Sequence, residues 1–142
     1  MTWKGAAMFD DIPGFLDGTG PSTTVFDNDN TPNNILDATL GGSVEVDWQF
    51  SGSLSAILGD VEFTATLVAD PVSVDPKLVL GSIAVVDASG NYSVTFPIAP
   101  NSLNPDAYRL TVVITSIEVS SGGSLPIAGF VDGPIIQVRP GP

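Results

Sequence analysis

The sequence predicts an all-β protein, an antiparallel sandwich of about seven strands. Three observations carry that expectation. Apolar and polar residues alternate with period two in several separate runs, such as Val44, Val46, Trp48 and Phe50 against Glu45, Asp47, Gln49 and Ser51. Turn-forming residues separate these runs: the chain has fifteen Gly, twelve Pro and thirteen Asp among its sixteen acids. No stretch of useful length shows the 3.6-residue period of an amphipathic helix.

Taken in chain order, residues 1–34 read as an irregular segment or arm and residues 35–142 as the sandwich domain. Asp10-Asp11-Ile12-Pro13-Gly14 and Asp17-Gly18-Thr19-Gly20-Pro21 have loop chemistry, a short strand is expected at 23–26, and Asp27 to Asn34 reads as a further loop. The first clear strand follows Gly41-Gly42. A turn with an apolar patch (Leu54, Ile57, Leu58) precedes a second alternating run at Val61, Phe63, Ala65 and Leu67. Residues 78–86 form a strand with apolar residues of both parities, and Asp87-Ala88-Ser89-Gly90 reads as a hairpin turn. Tyr92, Val94, Phe96 and Ile98 alternate next. A Pro/Asn loop then leads into the longest strand, 107–119. A turn at 120–123, a short strand or irregular edge at 125–131 and a last strand at 135–139 complete the chain.

The run Asn101-Ser102-Leu103-Asn104-Pro105-Asp106-Ala107-Tyr108-Arg109-Leu110 resembles the corner of immunoglobulin-like and fibronectin type III-like domains, where a Leu, a turn and a Tyr enter a central strand. The resemblance spans the C-terminal two-thirds of the chain at the level of pattern. It implies an immunoglobulin-like antiparallel β-sandwich, a Tyr108 hydroxyl bonded to nearby backbone, and Trp48 as a core residue of an early strand. Leu110 stands where the antibody pattern has Cys, which sets the chain apart from disulfide-linked antibody domains.

Composition excludes whole classes of chemistry. With no Cys and no His, thiolate or imidazole metal sites, disulfides and His-based triads are impossible. The net charge is −12, and the four cations Lys4, Lys77, Arg109 and Arg139 are scattered. Nucleic-acid binding needs several clustered cations, so no nucleic-acid partner is expected. No run of eighteen apolar residues exists, so no membrane span is expected. Residues 1–11 lack the basic region and apolar core of a secretory signal. The expected location is therefore cytoplasmic or within a larger particle, and extracellular if a signal was removed.

The candidate sites are few. Asp17-Gly18-Thr19-Gly20 has an inserted Gly relative to an aspartic-protease motif and no second copy. Glu45 and Glu62 fall on outward parities and read as solvated strand faces. No catalytic residue and no cofactor are expected. Calcium is the one metal for which ligands can be named: the oxygens of Asp27, Asp29 and Asp37, although neither the sixth nor the twelfth position counted from Asp27 fits an EF-hand. Trp3, Phe9, Phe15 and Phe26 could present aromatic rings to a carbohydrate or staple the N-terminal segment to the sandwich.

The informative excess is apolar. Val68, Val79, Ile83, Val85, Val113, Ile117 and Ile135 lie out of phase with the core set of their strands or in two-sided strands. A solvated sheet has a polar outer face. Val85, Val113 and Ile135 are therefore the expected interface residues. The function expected is a non-enzymatic structural or protein-interaction module in a homo-oligomeric or multi-component assembly, with a protein partner or self-association. The alternative is a calcium-dependent or carbohydrate-binding adhesion-type module.

Overall fold

The computed structural model of the chain describes residues 2–3, 6–10, 17–52, 55–125 and 127–141, with side chains from Gly18 onward. Ten strands occur among them: β1 (Thr2–Trp3), β2 (Ala6–Asp10), β3 (Asp17–Asp27), β4 (Ile35–Asp37), β5 (Gly42–Ser51), β6 (Val61–Pro71), β7 (Leu78–Val85), β8 (Asn91–Ile98), β9 (Asp106–Glu118) and β10 (Ala128–Arg139). A single 3-10 helix, Ser55–Asp60, is the one helical element among the described residues. The fold is all-β with two sheets. The first has the order β1-β3-β5-β8. The second has the order β2-β10-β9-β6-β7, with β4 also paired to β10, and it curls strongly into a half-barrel.

Period-two alternation builds both sheets. In β5 the side chains of Val44, Val46, Trp48 and Phe50 are buried, and in β6 those of Val61, Phe63, Ala65, Leu67 and Ala69. Successive residues of a strand point to opposite faces, so each strand gives one row to the space between the sheets. The aromatic centre of that space joins the two layers. Trp48 stacks on Tyr92 at 5.2 Å within the first sheet, and Phe63 of the second sheet stacks on Phe50 at 5.1 Å and meets Tyr92 edge-on at 4.8 Å. Leu58 of the 3-10 helix, in the β5–β6 connection, is fully buried in the same core.

The corner expected at Tyr108 is present. Its hydroxyl donates to the Asn104 carbonyl at 2.6 Å, and Leu103 beside it is buried. The bond ties the β8–β9 connection to β9 where the chain passes from the first sheet to the second. Gly41 marks another obligatory position. Its φ is +72°, and a Cβ there would collide with the Ile98 carbonyl oxygen of β8.

Four features differ from the sequence-based expectation. First, β3 is not a four-residue strand in an irregular segment. It runs Asp17–Asp27 and pairs with β5 from Asp17↔Ser51 to Asp27↔Gly42. Its Gly20-Pro21 step looks like loop chemistry, but these two residues form a bulge between Thr19 and Ser22, and pairing resumes beyond it. Second, the turn at 87–90 does not close a hairpin. It has local turn geometry, with Gly90 N–H donating to the Asp87 carbonyl at 3.2 Å, but β7 and β8 belong to different sheets. Gly90 also accepts a bond from Phe50 N–H at 2.8 Å, so the turn is fastened over β5.

Third, the two short strands expected near the C-terminus are one. β10 continues through a register shift between Asp132 and Ile135, which changes the inward parity from odd to even. Fourth, the sheets are not wholly antiparallel: β4 runs parallel to β10, Ile35 opposite Gln137. Strand parity can be read from a sequence, whereas the strand that supplies the hydrogen-bonding partner is set by distant residues. The loop expected at residues 11–14, Phe15 and Leu54 lie outside the described residues, as do the side chains of Trp3 and Phe9.

Candidate functional site

The residues expected to bind calcium do not come together. Asp27 ends β3, and its Oδ1 accepts from the N–H groups of Asp29 and Thr31, both at 3.0 Å. Asp37 ends β4, and its Oδ1 accepts from Thr39 N–H at 2.8 Å and Thr39 Oγ1 at 2.6 Å. The Thr39 bonds hold the Asp37 carboxyl below its ordinary pKa of 3.8. No group of three Asp, Glu, His or Cys able to hold a metal exists among the described residues. Two of the three carboxylates thus act as local turn acceptors in separate loops, a role that Asx turns give Asp wherever the chain reverses.

The expected interface residues divide. Val113 of β9 and Ile135 of β10 are exposed, at 43% and 55%. Val85 is half-buried and packs against the core, so it does not belong to the outer face. The reason is register. Val85 pairs with Phe63 and Ile83 with Ala65, both core positions of β6, so their side chains share the inward face. The apolar residues of β7 reflect an edge strand that covers the core from one side, with Leu78 and Val79 exposed at its start.

A residue that sequence periodicity missed joins Val113. Phe130 of β10 lies directly opposite it in register and is 40% exposed. Its signal was hidden because the register shift at 132–135 puts Phe130 and Ile135 out of phase in the sequence while both face outward in the sheet. Around this pair the face mixes hydroxyl and charged side chains. Val113 is opposite Thr66 on its other side, Thr66 bonds Ser82 at 2.9 Å, and Thr111 donates to Asp132 at 3.3 Å. Arg109 stands opposite Ile135 and Asp70 at the end of the strip.

The first sheet has a different outer face. Thr19, Ser22, Asp47, Gln49, Asn91 and Ser93 take outward positions on β3, β5 and β8, and they line a groove of about 600 Å³. The bulge Gly20-Pro21 forms one wall, and Trp48 and Tyr92 complete the described lining. Gly20 lies so close over β5 that a Cβ would sit 3.1 Å from the Asp47 carbonyl oxygen. Glu45, two residues from Asp47 on the same face, has its carboxyl raised above 4.5 by burial, and further by its hydrogen bond and charge contact with Asp47. Behind the groove, the Trp48 indole N–H is buried and finds no hydrogen-bond partner among the described residues.

No protein-family model and no curated protein matches the chain.

Proposed function

We propose that the chain is a non-enzymatic protein-interaction module of immunoglobulin-like type that assembles with further copies of itself through the outer face of β9 and β10. The observation that carries this reading is the exposure of Val113 and Phe130 side by side on neighbouring strands, with Ile135 farther along the same face. Single exposed apolar residues are ordinary, but adjacent ones on a regular sheet face mark contact surfaces. The face suits self-association for a second reason. At a net charge of −12 most surfaces of two copies repel each other. The strip is bordered by the neutral Thr66, Thr111 and Ser82, and the charged residues along it, Asp132, Asp70 and Arg109, are of both signs. The absence of Cys and His from the sequence supports the non-enzymatic part, and the Tyr108 corner supports the immunoglobulin-like part.

The test is light scattering coupled to size exclusion at low and high salt. The expected result is a dimer or larger oligomer that grows more populated as salt screens the net charge. Val113→Asp combined with Ile135→Asp is expected to give a monomer with unchanged far-ultraviolet circular dichroism. A wild-type monomer at millimolar concentration in high salt would overturn the reading.

A further inference from the structure

The groove on the outer face of the first sheet has no part in the contact proposed above. We propose that it is a binding site for a neutral, hydroxyl-rich ligand the size of a disaccharide. Its volume, about 600 Å³, falls within the roughly 300–1,000 Å³ of small-molecule sites. The bulge supplies one wall: Gly20 and Pro21 stand where β5 has the single residue Trp48, and the outward side chains of β8 stand opposite. Ser22 and Ser93 flank Asp47 in register, and Thr19 and Asn91 flank Gln49, so the groove is two rows of three polar side chains across three strands.

The chemistry of those two rows selects the ligand. Hydroxyl and amide groups from Thr19, Ser22, Gln49, Asn91 and Ser93 both donate and accept, while Asp47 accepts. Vicinal hydroxyls, each a donor and an acceptor at once, match such an array. None of the described lining residues is cationic, and the chain carries a net charge of −12, so phosphates and carboxylates are repelled. A purely apolar ligand would leave six polar side chains without their water. Among the six side chains of the two rows a cation would meet one carboxylate, Asp47, with Glu45 in contact with it from outside the groove, and would leave the five neutral side chains unused.

The experiment titrates the full chain with maltose, cellobiose and N,N′-diacetylchitobiose, and separately with spermidine. Binding is followed by side-chain amide resonances of Gln49 and Asn91 and by the fluorescence of Trp48. At least one saccharide is expected to bind saturably below tens of millimolar, the range of a single weak site. Gln49→Ala and Asn91→Ala are each expected to weaken it about tenfold. Thr95→Ala, outward on β8 but outside the groove, is expected to leave binding unchanged. Asp47→Asn keeps an accepting oxygen and is expected to change saccharide affinity less than about tenfold. The proposal is overturned if none of the three saccharides binds, if Thr95→Ala weakens binding as much as Asn91→Ala, or if spermidine alone binds and Asp47→Asn abolishes it.

Discussion

The two sheets share one core yet present opposite outer faces. In β8 of the first sheet the alternation is strict: Tyr92, Val94, Phe96 and Ile98 are buried and Asn91, Ser93, Thr95 and Pro97 are exposed. In the second, β9 buries Tyr108, Leu110, Val112 and Ile114 but sets Val113 among its outward residues, and β10 adds Phe130 and Ile135. The inward rows are interchangeable in character, because both answer to the same demand for dense apolar packing. The outward rows answer to whatever lies outside. A row of Asn, Ser and Thr is the ordinary solvated face of a sheet, whereas Val113 beside Phe130 leaves apolar surface open to solvent, the feature on which the proposed self-association rests.

The comparison can be broken most forcefully at the shared core. Phe63 is fully buried and touches Trp48, Phe50 and Tyr92 of the other sheet. Phe63→Ala is expected to cost about 3–5 kcal/mol in denaturant titration. A loss below about 1 kcal/mol would mean that the sheets do not depend on a common aromatic centre. Trp48→Phe is a milder probe of the same centre. It removes volume but also removes an indole N–H that has no partner among the described residues, so the expected loss is smaller than that of Phe63→Ala.

The corner comes next in size. Tyr108→Phe deletes the 2.6 Å bond to the Asn104 carbonyl and is expected to destabilise the fold by about 1 kcal/mol. Equal denaturation midpoints for the two proteins would show that the crossing from β8 to β9 holds without this bond.

Exchanging the outer faces sharpens the contrast between them. Val113→Thr in the second sheet and Thr95→Val in the first are each expected to change folding stability by no more than about 0.5 kcal/mol. Their effects on assembly should differ in sign. Val113→Thr should weaken self-association in sedimentation, and Thr95→Val should leave it unchanged or strengthen it. Identical sedimentation of the two variants would remove the distinction between the faces.

The smallest expected effect is electrostatic. Asp37 is held below 3.8 by Thr39, so its contribution to stability is present above the unfolded pKa and is lost as pH falls through the lower folded value. Glu45 is held above 4.5, chiefly by burial and then by Asp47. Its contribution is fullest below 4.5 and is lost as pH rises through the folded value. Thermal melts should therefore show Asp37→Asn lowering Tm at neutral pH and Glu45→Gln raising it, with both differences fading in strong acid. A Glu45→Gln protein less stable than wild type at neutral pH would show that the Glu45 charge is favourable on this face.

Local alternation assigns faces where a strand runs without a bulge and is not apolar on both parities. Trp48, Phe63 and Tyr92 were inward, Val113 and Ile135 outward, and Tyr108 was recognisable from the residues before it, because side-chain direction along a strand and the reach of a Tyr over one turn depend only on near neighbours. Partner strands were not legible. Asp87-Ala88-Ser89-Gly90 makes the same turn whether the next strand stays in the sheet or crosses to the other, and the pairing of β8 with β5, from Gln49 opposite Asn91 to Gly42 opposite Ile98, decides that it crosses. Gly20-Pro21 and the shift between Asp132 and Ile135 looked like breaks, yet a neighbouring strand carries each of them across.

The candidate sites divide along the same line. Residue type alone points to Asp27, Asp29 and Asp37 as calcium ligands, and Asp27 and Asp37 instead bond within separate loops. Val85 was misplaced because its inward direction follows from pairing with Phe63. The groove joins residues 19–22, 47–49 and 91–93, and Phe130 joins Val113 across seventeen positions of sequence. The sequence determined composition, charge and strand parity, which are properties of residues and their immediate neighbours. Tertiary structure decided which outward residues stand together, because hydrogen bonding between strands brings distant segments side by side in a register that no single segment encodes.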